Sequence, residues 1–162
     1  MSDLPGWSEA AHFRLIGAAC GVLFWGLAST AMAFEPLIQV SVSNPPRPMI
    51  SGTTNLPDGT PLLVTVSMPR DDSMRPGHVI YPVMGQSAVD VQSGYFIAGP
   101  FSNDGSLYDR GTYIVSVVIS TLALPDSVKP ILGETREKLD GPNVKEGPHG
   151  PWFELRTSFE VK

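Results

Sequence analysis

The sequence predicts an all-β domain, an antiparallel two-sheet sandwich with one short helical insertion, preceded by an N-terminal hydrophobic helix. Three observations predict it. The 162 residues include 16 Gly and 16 Pro, roughly a fifth of the chain. Such dense punctuation suits short strands and turns and argues against a helical bundle. Seven or eight short segments alternate apolar and polar residues at period two, as half-buried strands do. Only one later segment carries a helical period.

Composition narrows the function classes. Charged residues make up 17%, against about 25% in an ordinary soluble domain. Sixteen acidic residues outnumber eleven basic ones, giving a net charge of −5. An acidic chain without a basic cluster is not expected to bind nucleic acid through its phosphates. One cysteine excludes a disulfide framework and a thiolate zinc site.

The leader comes first. No charge falls between Leu15 and Phe34, a run of 20 residues. An apolar core from Leu15 to Ala28 is followed by Ala31-Met32-Ala33. A short apolar core ending in small-x-small residues matches a secretory signal. Ala31 and Ala33 are then the residues a signal peptidase recognises, because its cleft admits only small side chains there. Cleavage after Ala33 leaves a cysteine-free chain suited to an oxidising compartment. The division is therefore 1–33 leader and 34–162 sandwich domain, exported to the periplasm or secreted. The alternative is an uncleaved anchor. Residues 15–34 are long enough to span the inner membrane, and Asp3 and Glu9 against Arg14 are not the positive flank of a signal. Membrane contact is expected only through this segment.

In the body, Ile38, Val40 and Val42 alternate with polar residues and predict a strand. Asn44-Pro45-Pro46-Arg47-Pro48 predicts an extended connection, since Pro fixes φ and restrains its predecessor. Met49 to Thr53 resumes a strand. Leu56-Pro57-Asp58-Gly59-Thr60 predicts a turn. Leu62, Val64 and Val66 mark the next strand. Pro69 to Gly77 is a polar loop. Val79–Met84 and Ser87–Gln92 predict two strands separated at Gly85. Gly94-Tyr95-Phe96-Ile97 is a short apolar run closed by Gly99-Pro100, and Asn103-Asp104-Gly105 is a turn. Thr112–Ser120 is apolar on both faces, as a central strand would be. Phe153 to Val161 closes the sheet.

The helix is predicted near 127–139. Ser127 can cap it, Pro130 suits its first turn, and Gly141-Pro142 stops it. Val128, Ile131, Leu132, Thr135 and Leu139 share one face. Gly141 to Pro151 predicts an irregular loop.

Several segments together resemble a known family. They are Ile50-Ser51-Gly52-Thr53, Leu56-Pro57-Asp58-Gly59-Thr60-Pro61-Leu62-Leu63-Val64, Gly94-Tyr95-Phe96, and Arg110-Gly111-Thr112-Tyr113-Ile114-Val115-Ser116-Val117. This series, over roughly 49–119, resembles bacterial exported prealbumin-like sandwich domains, including the carboxypeptidase regulatory-like and Ig-like modules. The resemblance implies a two-sheet sandwich and a non-catalytic accessory role. It carries over no catalytic residue.

Candidate chemistry is sparse. Gly85-Gln86-Ser87-Ala88-Val89 lacks the second glycine of a nucleophile elbow. Asp71 and Asp72 are adjacent, so their side chains diverge on an extended segment. No catalytic residue and no cofactor is therefore predicted. A loop mixing both charges with an apolar residue can adapt to a partner surface, and loops carry function. Arg70, Asp71, Met74, Arg75 and His78 are accordingly the expected partner-binding residues. Met68, Met74, His78 and Met84 form a second candidate, since thioethers with an imidazole suit Cu(I). The leading expectation is an exported, non-enzymatic accessory or binding protein that contacts another envelope protein. A periplasmic copper-binding protein and an envelope-acting hydrolase are the alternatives.

Overall fold

The computed structural model describes residues 32–71, 75, 77–120 and 123–162. The expected hydrophobic helix, residues 15–31 of the apolar segment and Ala31 lie outside the described residues. Two antiparallel sheets form the body. The smaller runs β1 (Ile38–Ser43), β2 (Met49–Thr54) and β7 (Tyr95–Ala98), in the order β1-β2-β7. The larger contains β3 (Pro61–Ser67), β6 (Val83–Asp90), β8 (Gly111–Ile119), β9 (Val144–Lys145) and β10 (Trp152–Val161). Its order is β6-β3-β8-β10-β9. A two-stranded ribbon, β4 (Arg70–Asp71) with β5 (Val79–Ile80), stands between β3 and β6 in the chain.

Period two decides which side chains enter the core. Leu62, Val64 and Val66 of β3 and Tyr113, Val115, Val117 and Ile119 of β8 are all buried. Ile50, Phe96 and Ala98 meet them from the smaller sheet. β8 lies centrally, between β3 and β10, as its two apolar faces predict. The segment before β8 adds Phe101 and Tyr108 to the core, and the segment after it supplies Leu124, Val128, Leu132 and Leu139.

Two turns form at the Pro, Asp and Gly residues that favour them. Thr60 N–H donates to Pro57 O at 3.1 Å, with Gly59 at φ 82°. Asn103 and Ser106 exchange backbone bonds of 3.1 and 2.8 Å around Asp104 and Gly105, both at positive φ.

Four expectations need correction. Asn44 to Arg47 is a turn rather than an extended link. Asn44 takes φ 51° and Arg47 N–H donates to Asn44 O at 2.9 Å, because the φ that Pro imposes serves a turn corner as well as an extended chain. Gly85 does not divide two strands but lies inside β6. A Cβ there would sit 2.8 Å from Phe101 Cδ1 and 2.9 Å from the Tyr108 hydroxyl. The glycine marks a close approach, one of the meanings an isolated strand glycine carries. The helix is only α1 (Lys129–Leu132), four residues long, with no side-chain cap from Ser127. Gly133 at φ 91° and Arg136 at φ 65° turn the chain away. Val128, Leu132 and Leu139 are still buried, but Ile131 and Thr135 are exposed. Finally, the loop at 141–151 contains β9, whose Val144 and Lys145 pair with Phe153 and Trp152.

Candidate functional site: a ribbon and a cleft on the sheet face

The outer face of the larger sheet is built by alternation. Thr65 and Ser67 of β3, Ile114 and Ser116 of β8, and Glu154, Arg156 and Ser158 of β10 are off-core residues on neighbouring strands. The β4–β5 ribbon rises from the end of this sheet. Its base closes where Met68 N–H donates to Pro82 O at 3.3 Å. The returning chain lays Tyr81 against the face, with the Arg156 guanidinium 6.0 Å from its ring centre.

Two adjoining clefts result. One, of about 190 Å³, is lined by residues including Thr65, Ser67, Tyr81, Val83, Ser116 and Glu154. The other, of about 250 Å³, is lined by Tyr81, Ile114, Arg156, Thr157 and Ser158. Tyr81, Ile114 and Arg156 belong to both. Val79, Ile80, Tyr81 and Val83 are all exposed, so an apolar strip runs from the ribbon to the cleft.

Glu154 organises the polar part. Its side chain is only 5% exposed. It accepts from Lys145 Nζ at 2.8 Å, Arg156 Nε at 2.7 Å and Ser116 Oγ at 2.9 Å. Burial opposes its charge, but the hydrogen bonds from Lys145, Arg156 and Ser116 outweigh that and hold the carboxyl below its ordinary value. Lys145 Nζ also lies 4.8 Å over the Trp152 ring, a cation–π arrangement. A carboxylate so fully engaged is a poor proton acceptor, so this network positions charges rather than moving protons.

The predicted site residues fall on and beside this ribbon. Arg70 and Asp71 form β4, paired with Ile80 and Val79. Arg75 and His78 are exposed beyond it, and His78 N–H donates to Arg75 O at 3.0 Å. Met74 lies outside the described residues. The structure thus brings Arg70 and Asp71 alongside the strip that leads to the cleft. Of the copper candidates, Met68 and Met84 pack against the core at the ends of β3 and β6, whereas His78 is exposed. Among the described residues, no three His, Cys, Asp or Glu side chains converge as a metal site. Ala33 is exposed just before Phe34.

Sequence reasoning missed Tyr81, Ser116, Lys145, Glu154 and Arg156. The alternation in β10 placed Glu154 and Arg156 on the polar face. Nothing local told that Ser116 and Lys145 lie on the strands beside them.

A separate groove of about 480 Å³ runs between β6 and β7, lined by Ala88, Val89, Asp90, Gln92, Tyr95, Phe96 and Ile97. Comparison with known protein families, with curated proteins and with solved structures gives no match for this chain.

Proposed function

We propose that this is an exported, non-catalytic binding module of the cell envelope that contacts another protein through the β4–β5 ribbon and the cleft at its base. The observation that carries the proposal is the exposed strip Val79-Ile80-Tyr81-Val83 bordering a concave face that holds fixed charges. Contiguous exposed apolar residues rimmed by polar ones mark interaction surfaces, and exposed Tyr with nearby Arg is the composition of binding hot spots.

The finer fold we assign is Ig-like. Leaving aside the two-residue strands, the first, second and fifth strands make one sheet, and the third lies between the fourth and sixth in the other, with the seventh beside the sixth. The immunoglobulin constant type divides its strands likewise except for the fourth, which there joins the first, second and fifth and here lies beside the third. The helical turn at 129–132 is then an insertion between the last two long strands. Membership of the prealbumin-like or carboxypeptidase regulatory-like modules remains a proposal resting on the sequence motifs.

Export is supported at the proposed cleavage point. Phe34 is bonded into the body, its N–H donating to Lys138 O at 2.6 Å and its C=O accepting from Asp140 N–H at 3.0 Å. Met32, by contrast, is 85% exposed. A peptidase acting after Ala33 would cut beside the fold and leave it whole.

Two measurements test this. A photoreactive phenylalanine at Tyr81, in the cells that produce the protein, is expected to give a discrete adduct with a second protein. The same probe at Gln39, on the outer face of the other sheet, is not. Equal adducts or none at Tyr81 overturn the partner surface. Mass measurement of the isolated chain is expected to show Phe34 as first residue. An intact Met1 end in the membrane fraction replaces the cleaved leader with an anchor.

A further inference from the structure

The two clefts on the outer face of the larger sheet carry an unbalanced charge. Among the described residues that line them, only Glu154 and Arg156 are ionised. Glu154 is 5% exposed and fully engaged. Its Oε1 accepts from Ser116 Oγ and Arg156 Nε, and its Oε2 from Lys145 Nζ. One carboxylate thus serves two cations. Arg156 differs, since 58% of its side chain is open to solvent. Only its Nε donates to a described residue. The two terminal NH2 groups, part of the planar fork that matches a carboxylate, donate to none of the described residues. On a chain of net charge −5, this face therefore presents an accessible cation.

The surroundings steady that cation and limit what reaches it. The Nε–Oε1 bond of 2.7 Å and the Tyr81 ring, 6.0 Å from the guanidinium, restrain its plane. A fork already oriented loses little side-chain freedom when it binds. Arg156 belongs to both clefts, which share Tyr81, Ile114 and Arg156. One continues to Thr65, Ser67 and Val83, the other to Thr157 and Ser158. A trough that runs on past Arg156 on both sides suits a side chain carried by a segment passing through. A terminal carboxylate would call for a blind end.

We infer that the cleft recognises an Asp or Glu side chain of the protein partner, bound by the Arg156 fork, on an extended segment whose nearby apolar side chain lies against Tyr81 and Val83. The inference rests on the partner surface proposed above and names its chemistry. Charge complementarity selects the acid. A basic segment would meet Arg156 and Lys145 while the one carboxylate between them is buried and engaged. Alternate side chains of an extended chain share a face, so the acidic residue and its apolar companion stand two positions apart. Ser158 gives a way to test the charge. It is exposed, lines the same cleft as Arg156 and pairs with Ile114, and it takes no part in the Glu154 network.

The test adds charge variants to the full chain carrying photoreactive phenylalanine at Tyr81, in the cells that produce it. Arg156→Gln is expected to cut the adduct about tenfold. Ser158→Glu, which sets a competing carboxylate beside the intact arginine, is expected to do the same, and Ser158→Lys to raise the adduct. The opposite signs at Ser158 keep the test decisive if Arg156→Gln fails to fold. Mass spectrometry of the cross-linked segment is expected to find Asp or Glu within about three residues of the attachment point, roughly 10 Å of extended chain, with an apolar residue two positions from it. Changing that acid to Lys in the partner is expected to restore the adduct with Ser158→Glu. An adduct at Tyr81 that ignores Arg156→Gln and Ser158→Glu leaves the partner surface standing and overturns the acidic ligand. So does a loss as large with Ser158→Lys as with Ser158→Glu, or a captured segment that offers a phosphate, a terminal carboxylate or no acid at all. No adduct at Tyr81 in the otherwise unchanged chain overturns the surface and this inference with it.

Discussion

At the scale of single residues, two buried polar groups should respond to pH in opposite directions. The Tyr108 hydroxyl is buried without a hydrogen-bond partner. Burial, with Tyr113 stacked at 4.9 Å adding to it, pushes its pKa from 10.0 up to about 12. A raised value means that the fold favours the neutral phenol. The resulting stability is complete below about pH 10 and is lost as pH rises toward 12. Tyr108→Phe removes both the ionisation and the unsatisfied oxygen. It should raise stability at neutral pH by about 1 kcal/mol and flatten the alkaline loss, as urea unfolding at a series of pH values will show. Glu154 is lowered instead, so its contribution is present at neutral pH and fades as pH falls through the carboxylate range. Glu154→Gln should cost about 2 kcal/mol at pH 7 and leave a shallower acid limb in the same measurement. Neither behaviour was legible in the sequence. Tyr108 reads as one aromatic in a turn-rich loop, and Glu154 as one charge on an alternating strand. Their environments come from strands and loops distant in the chain.

At the scale of elements, legibility followed locality. The alternation at 38–42, 62–66, 112–120 and 153–161 identified strands because side-chain period is a property of the segment alone. The helix failed because its 3.6-residue pattern was real but short-ranged. Val128, Leu132 and Leu139 are buried as the pattern requires, yet the chain reaches Leu139 through a turn broken at Gly133 and Arg136. Hydrophobic spacing reports which residues face the core, not the backbone path between them. Gly85 shows the converse case. In the sequence it looks like punctuation, although β6 passes through it to let Phe101 and Tyr108 approach. Gly85→Ala should therefore destabilise by about 1–3 kcal/mol through overpacking. Part of that loss should be recovered when Tyr108→Phe is added, because the hydroxyl is one of the two atoms in the way. A double-mutant cycle by denaturant unfolding measures the coupling. Additive effects would separate Gly85 from Tyr108.

At the scale of the whole molecule, the ribbon and the sandwich make separable contributions. The buried cluster draws on both sheets, on the Phe101–Tyr108 segment and on residues 124–139, but on no described residue of the ribbon. Among the described strands, β4 and β5 pair only with each other, and Val79 and Ile80 remain exposed. A segment that buries so little can be exchanged at small thermodynamic cost, since loop length enters closure entropy only logarithmically. Replacing residues 70–80 with Asn-Gly should keep the Met68–Pro82 closure and change Tm by no more than about 4 °C. If the ribbon is the contact surface, the same replacement should abolish the adduct formed through a photoreactive residue at Tyr81. An adduct that persists would move the contact into the cleft beside Arg156 and Glu154. A large fall in Tm would instead show that the ribbon braces the sheet, making its exposed strip part of the architecture.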